Sequence, residues 1–250
     1  MIKSKPIIAI TTIASSLICS SAFAVDPAGE GNRYDLTRMY ESEISSSKAF
    51  LLTNYDRGNK SNDPLANAVI LDVRRIAEYR DGHPPGSYSA PFPHIDGSPS
   101  ENDDEDGYIG YNVCPGGPQG DPSQDVQDAA CFSSSGNDGV LNVDDYVAYV
   151  ESIVPDKNTP ILTLCRTGYR SVQAANILTQ AGYTVYNIWE GYRGQYKTDT
   201  GDNTPLDLNG NGVADNGDYD GWANFLGLPT STKLKPKLIF SGEYEYLYYE

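Results

Sequence analysis

The sequence predicts an α/β fold in which a central parallel sheet carries helices on both faces. Apolar runs of strand length, such as residues 69–73 and 161–164, alternate with stretches of helical periodicity, such as 144–153 and 172–181. The runs are almost continuously apolar, which is typical of parallel strands that are covered on both faces. Strands that alternate with helices join through right-handed crossovers into a parallel sheet.

The individual elements follow from the same patterns. Pro155 comes directly after the periodic stretch 144–153, and Gly182 stands where it can end a helix over 172–181. In chain order the sequence predicts a helix over 43–55, a strand over 69–73, a short helix over 75–80, a helix over 144–153, a strand over 161–164, a helix over 172–181 and a strand over 184–188.

The first residues predict a secretory signal peptide. Two lysines precede an apolar stretch over 7–19. The small residues Ala22 and Ala24 fit a cleavage site after Ala24, so the signal peptide would comprise residues 1–24. The stretch is too short and too rich in serine for a membrane span. Cys19 allows a lipoprotein alternative, which Ile18 disfavours because a small residue is required there. We therefore expect a periplasmic or secreted bacterial protein.

The charge of the chain limits its partners. The formal net charge is −16, and removal of Lys3 and Lys5 with the signal peptide would make it −18. Such an acidic surface argues against nucleic acid and against anionic membranes as partners. The acidic residues are concentrated at 101–106 and 199–220, where solvated loops are expected.

One predicted strand ends on a cysteine in an unusual chemical setting. Cys165 follows the apolar run 161–164 and precedes a glycine, two arginines and a serine. The dipole and unpaired N–H groups of the following helix, together with Arg166 and Arg170, favour the thiolate over the thiol. Because the thiolate is the nucleophilic form, Cys165 is the candidate catalytic residue.

The segment from Cys165 to Ser171, with the sequence CRTGYRS, resembles the active-site loop of rhodanese-type sulfurtransferases. In that family six residues starting at the cysteine wrap around its sulfur. Three further segments resemble the family in the same order: 68–87 with its Asp-x-Arg and Gly-His-x-Pro-Gly motifs, 186–191 as the last core strand, and 221–229 as a closing tryptophan helix. Each motif alone is weak, but four in order around one loop are a strong signal.

The resemblance implies one rhodanese-like domain over about residues 43–230. Two insertions interrupt it, at about 95–137 and at 196–220, and an extended lead-in over 25–42 precedes it. The tyrosine-rich tail 231–250 is interpreted as an added edge strand, a partner-binding segment or a surface-packed tail, of which the last is favoured.

The resemblance also implies a reaction. An exported sulfurtransferase of this kind would accept sulfane sulfur from a small donor, such as thiosulfate or a persulfide, on Cys165. The resulting persulfide would pass that sulfur to a thiol or to a cyanide-like acceptor, and catalysis would require no cofactor. Related cysteine phosphatases carry one more residue in the loop, so the six positions from Cys165 to Arg170 favour sulfur over phosphate.

The loop residues have expected roles in that chemistry. Backbone N–H groups of the substrate-binding loop would converge on the sulfur, and Gly168 would let the loop curl. Arg170 would hold an oxyanion, and Arg166 would add to its field. Ser171 is expected to cap the next helix rather than to react. The full expected substrate-binding set is Arg166, Thr167, Gly168, Tyr169, Arg170 and Ser171.

Two other functions remain open at this point. The same fold also serves as a binding or regulatory module without enzymatic activity. A thiol–disulfide oxidoreductase would need a partner cysteine for Cys165, and Cys114 or Cys131 is available in sequence. The simplest assignment instead pairs Cys114 with Cys131, within a Gly/Pro/Ser/Asp-rich region, and leaves Cys165 free.

The second insertion predicts a structural calcium site. Its sequence DLNGNGVADNGD has oxygen ligands at the spacing of an EF-hand-type loop, with Gly212 at the sharp turn. The expected ligands are Asp207, Asn209, Asn211, the Val213 carbonyl, Asp215 and Asp218. Asp218 replaces the usual glutamate, which predicts weak binding, and the alternative is a solvent turn rich in Asp, Asn and Gly.

Overall fold

The computed structural model describes residues 38–54, 63–92, 143–197, 204–208, 210–224, 226–242 and 244–249. The strands in this part of the chain are β1 (Ser42–Ile44), β2 (Val69–Asp72), β3 (Tyr88–Ser89), β4 (Ile161–Leu164) and β5 (Val185–Ile188). They form one sheet in the order β1-β5-β4-β2-β3, and each neighbouring pair is parallel. The predicted α/β fold with a central parallel sheet is confirmed.

Helices cover the sheet on both faces. The described α-helices are α1 (Ser46–Asn54), α2 (Ile76–Asp81), α3 (Val143–Ile153) and α4 (Tyr169–Gln180). Successive strand residues point to opposite faces, so alternate side chains enter two different apolar clusters. Ile70 and Leu162 pack in one cluster with residues of α1, whereas Leu71 and Ile161 pack in the other with residues of α2, α3 and α4.

The strand β4 lies at the centre of the sheet and positions the candidate cysteine. All four of its residues are buried, and it pairs with β2 on one side and β5 on the other. Leu162 is opposite Ile70 and Tyr186 in the register. Cys165 therefore leaves the sheet at the carboxyl end of its central strand, where ligand sites in open α/β sheets generally lie.

Four local features differ from the sequence expectations. The strands β1 and β3 were not expected, and α4 begins at Tyr169 rather than at residue 172. The expected closing tryptophan helix is replaced by turns in the described residues 221–224 and 226. Trp222 is nevertheless fully buried, and its indole N–H donates to the Pro229 carbonyl at 2.9 Å.

The tail packs on the domain next to β3. Its last turn is a 3₁₀ helix, Glu245–Tyr248. The buried Tyr248 hydroxyl donates to the hydroxyl of Ser89 at 2.7 Å, and the N–H of Ser89 donates to the Leu238 carbonyl at 2.7 Å. The tail thus completes the edge of the sheet with irregular backbone. Across the ranges that the structure describes, no helix combines the length and apolar character needed to cross a membrane.

Candidate active site

Cys165 lies at the bottom of a loop that directs hydrogen-bond donors at its sulfur. Its side chain is almost fully buried, and it is a free cysteine. The Gly168 N–H donates to Sγ at 3.1 Å, and the Ser171 hydroxyl lies 3.4 Å from Sγ in donor geometry. Both donors would stabilise a negatively charged sulfur without adding net charge. Cys114 and Cys131, the predicted disulfide partners, lie outside the described residues.

Two glycines allow the loop to close tightly around the sulfur. Gly168 has φ of 100°, a left-handed conformation that side chains disfavour, and a Cβ there would collide with the Trp189 carbonyl. Gly191 has φ of 74°, and a Cβ there would lie 2.7 Å from the Arg166 carbonyl. The backbone after β5 therefore packs directly against the loop that follows Cys165. The expectation that Gly168 lets the loop curl agrees with this geometry.

The loop carbonyls are bound by the segment that follows β5. The N–H of Tyr192 donates to the Cys165 carbonyl at 2.7 Å. The Arg166 carbonyl accepts two donors, the N–H groups of Arg193 at 2.9 Å and Gly194 at 3.0 Å. These residues were not among the sequence candidates, because nothing in their local sequence indicates contact with Cys165.

Ser171 does not cap the helix, which corrects the sequence expectation. The N-cap of α4 is Gly168, so Ser171 lies in the first turn of the helix. Its hydroxyl is 3.1 Å from the Gly168 carbonyl as well as 3.4 Å from the sulfur of Cys165. Because the helix starts earlier than expected, the hydroxyl is directed back towards Cys165. Ser171 belongs to the surroundings of the sulfur.

Arg170 is paired with a carboxylate on helix α2. Its side chain is 3% exposed, and its Nη2 lies 2.9 Å from Oε2 of Glu78, a residue of α2 whose side chain is 26% exposed. Burial alone would raise the pKa of Glu78, but the positive charges of Arg170 and Arg74 more than offset this, and the pKa falls to about 2. Glu78 is therefore ionised at neutral pH. The guanidinium that was expected to hold a donor oxyanion already has an anionic partner.

The remaining loop residues differ in exposure. Arg166 and Thr167 are partly exposed, whereas Tyr169 is buried against the protein. Arg166 and Thr167 thus form the part of the loop that reaches the solvent.

The Asp-x-Arg motif has a structural role beside the site. Asp72 accepts two side-chain hydrogen bonds from Arg74, at 2.8 and 2.6 Å, and both residues are buried. The Arg74 guanidinium also lies 3.7 Å from the centre of the Tyr192 ring. This arrangement links β2 to the segment that binds the Cys165 carbonyl.

His83 is held by packing contacts. Its ring stacks on Tyr79 with centroids 3.8 Å apart, and its Nδ1 lies 2.9 Å from the Tyr79 carbonyl. Burial lowers the pKa of His83, although the hydrogen bond to Tyr79 partly opposes this. These contacts give His83 a structural role in the packing beside α2.

The residues of the predicted calcium loop lie close together. The Asp207 carboxylate accepts three backbone N–H bonds, at 2.7 Å from Gly210, 3.1 Å from Asn211 and 2.6 Å from Gly212. The Asn211 side-chain oxygen accepts the N–H of Val213 at 2.9 Å. These bonds draw residues 210–213 back against the side chain of Asp207.

The second half of the same loop closes on a buried carboxylate. Asp218 accepts the N–H of Leu208 at 2.9 Å and that of Asp215 at 2.8 Å. Asn209 lies outside the described residues. Among the residues that are described, no group of three or more His, Cys, Asp or Glu side chains is arranged to hold a metal ion. Calcium binding by this loop stays a prediction.

Comparison with known proteins gives short or distant similarities. No family model matches the chain. A 45-residue stretch is 53% identical to the uncharacterized protein RC0915 of Rickettsia conorii and to an uncharacterized protein in the dnaA 5'region of Rickettsia montanensis. It covers 17% of this chain and 37% of each relative, so the chain spans about a third of the curated relatives that it matches.

One solved structure is similar over a larger part of the chain. The crystal structure of Rv0390 from M. tuberculosis matches with a TM-score of 0.36 and 20% sequence identity. The match covers 78% of this chain and 99% of that one.

Proposed function

We propose that the protein is a sulfurtransferase that carries sulfane sulfur as a persulfide on Cys165. The observation that supports this most is the pair of donors at the sulfur, the Gly168 N–H at 3.1 Å and the Ser171 hydroxyl at 3.4 Å. A buried thiol with such donors suits a reaction in which the sulfur alternates between thiolate and persulfide. The resemblance of the loop to rhodanese-type sulfurtransferases points to the same chemistry.

The proposed first step loads the enzyme. The Cys165 thiolate attacks the outer sulfur of the donor, so that a new S–S bond forms while the bond between that sulfur and the rest of the donor breaks. The rest of the donor molecule leaves with the electron pair of the broken bond. When the donor is thiosulfate, this leaving group is sulfite. The negative charge then lies on the outer sulfur of the persulfide, near the donors of the loop.

The proposed second step regenerates the thiolate. A thiolate or cyanide acceptor attacks the outer sulfur, and Cys165 leaves with the electrons of the S–S bond. The same donors that favour the thiolate as a nucleophile make it a better leaving group. Neither step requires a metal ion or a redox cofactor.

The six-residue loop supports sulfur rather than phosphate as the transferred group. In the resembled family a longer loop accompanies phosphatase activity, and here Cys165 and Arg170 span the shorter form.

Thiosulfate:cyanide sulfur transfer tests the proposal, with Cys165→Ala and Cys165→Ser as inactive controls. Peptide mass spectrometry of protein treated with thiosulfate, without reductant, is expected to show Cys165 heavier by about 32 Da, one sulfur atom. Thiocyanate formation that persists in Cys165→Ala would exclude the persulfide mechanism. Failure of thiosulfate, organic persulfide and polysulfide to load Cys165 would favour a binding module instead. A disulfide that joins Cys165 to Cys114 or Cys131 would favour an oxidoreductase.

A further inference from the structure

The second insertion is fastened to the catalytic loop by a backbone clasp. We use the name clasp for residues 191–195 together with residues 220–223. Its two halves are joined by hydrogen bonds from Asp220 N–H to the Gln195 carbonyl at 3.0 Å and from Trp222 N–H to the Gly191 carbonyl at 3.0 Å. The clasp therefore connects the end of the insertion to the segment that follows β5.

The inner side of the clasp binds the carbonyl groups of the catalytic loop. The Cys165 carbonyl accepts one N–H and the Arg166 carbonyl accepts two, at 2.7 to 3.0 Å. A peptide unit is planar, so its carbonyl and the N–H of the next residue point in opposite directions. By binding these two carbonyls, the clasp fixes the planes of the two peptide units that carry the Arg166 and Thr167 N–H groups. The next peptide unit carries the Gly168 N–H, which donates to the sulfur. The start of the loop is thus oriented by a segment outside it.

A buried carboxylate holds the clasp in this position. Oδ1 of Asp220 accepts the N–H of Gln195 at 3.0 Å, and the Asp220 side chain is 5% exposed. The fit around it is tight: a Cβ on Gly194 would lie 2.6 Å from Oδ1 and would collide with the backbone of Gly221. There is little free space in which the clasp could shift without moving the loop carbonyls.

We propose that Asp220 is a positioning residue for Cys165, acting through the clasp on the orientation of the catalytic loop. This gives the second insertion a role in the reaction, because its last residues carry the carboxylate. An effect of Asp220 on catalysis rests on the proposed function. Its effect on the surroundings of the Cys165 sulfur does not.

The test compares Asp220→Ala with Asp220→Asn in the full-length protein. Asparagine keeps the side-chain oxygen that accepts the Gln195 N–H, whereas alanine removes it. We expect the rate of iodoacetamide alkylation of Cys165 at pH 7 to fall about fivefold in Asp220→Ala, which corresponds to one lost hydrogen bond. Asp220→Asn is expected to stay within about twofold of the wild type. Sulfur-transfer kcat should follow the alkylation rate, with KM for thiosulfate little changed.

Asp156→Ala is the matched control. This exposed aspartate also accepts a backbone N–H, from Asn158 at 3.0 Å, but it precedes the amino end of β4, opposite to Cys165. Its loss should leave alkylation unchanged. If Asp220→Ala does not fold, Asp220→Ser takes its place in the same comparison.

The proposal is overturned if the folded Asp220 variant has a lower melting temperature but alkylates at the wild-type rate. It is also overturned if Asp156→Ala slows alkylation to the same extent. Alkylation needs no sulfur donor, so this result is separable from the proposed function. A wild-type protein that never forms a persulfide would reject the proposed function and leave the alkylation comparison intact.

Discussion

Replacement of Glu78 by glutamine probes the electrostatic partner of Arg170. The change keeps the size of the side chain and removes its negative charge. In the native protein Oε2 of Glu78 lies 2.9 Å from Nη2 of Arg170 and accepts the Arg75 N–H at 3.1 Å. Because the Arg170 side chain is only 3% exposed, its charge would lose the attraction of the Glu78 carboxylate in a site that water reaches poorly.

The expected loss of stability follows from the pKa of Glu78. This pKa falls from 4.5 to about 2 on folding, because the attraction of Arg170 and Arg74 exceeds the cost of burial. The difference corresponds to at most about 3 kcal/mol of unfolding free energy. A carboxyl whose pKa is depressed contributes fully above its unfolded value and loses the contribution as pH falls towards its folded value. The difference between wild type and Glu78→Gln should therefore be largest at pH 7 and should shrink below pH 4.5.

Urea unfolding of both proteins at pH 7 and at pH 3.5 measures this difference, which should shrink by about 1 kcal/mol at the lower pH. Glu151→Gln is the control, because Glu151 forms an ion pair of 2.7 Å with Lys157 but is 50% exposed. Its loss should cost at most about 1 kcal/mol. Equal losses in the two variants, or a Glu78 effect that does not change with pH, would refute the argument.

Four further expectations concern the site and the insertions. Ser171→Ala should lower the rate of persulfide formation about fivefold, the effect of one hydrogen bond, and should also lower the melting temperature slightly, because the hydroxyl bonds the Gly168 carbonyl as well; stopped-flow loading with thiosulfate measures the rate. Gly191→Ala should destabilise the fold by about 2 kcal/mol or more in urea unfolding, because its φ of 74° and its 2.7 Å contact with Arg166 both oppose a Cβ. Calcium at 5 mM should raise the melting temperature relative to EDTA by an amount equivalent to about 1–2 kcal/mol, with magnesium as the control; no shift would contradict the calcium prediction. Peptide mapping without reductant should join Cys114 to Cys131 and leave Cys165 unpaired.

The central strands and most helices could be predicted from the sequence, because their signals are local. The strands β2 and β4 are apolar at nearly every position, which is typical of strands in the interior of a parallel sheet that is covered on both faces. The strands β1 and β3 have three and two residues. Their pairing depends on neighbours that are distant in sequence, such as Asn187 opposite Glu43, so no local pattern indicates it.

The start of α4 shows how a local rule can be overridden. Serine is a good N-cap, so the sequence around Ser171 favours a helix that begins after it. The glycine at 168 instead adopts a left-handed conformation and begins the helix three residues earlier than expected. The hydroxyl of Ser171, instead of capping the helix, lies 3.1 Å from the Gly168 carbonyl and 3.4 Å from the sulfur of Cys165. Deviations of this kind are most common where a site imposes its own geometry.

The sequence alone suggests more positive charge near the sulfur of Cys165 than the structure shows. Arg166 and Arg170 flank the cysteine in sequence, which suggests attraction by net charge. Arg170 is already paired with Glu78, which lies 92 residues earlier in the chain, so no local pattern reveals the pair. The groups that contact the sulfur directly are the neutral Gly168 N–H and Ser171 hydroxyl. Stabilisation by oriented dipoles depends on the backbone conformation, because the energy of a dipole near a charge depends on its orientation, whereas that of a second charge depends mainly on distance. This is why the groups that hold the loop carbonyls, and the Asp220 carboxylate behind them, matter to the chemistry of a cysteine that they do not touch.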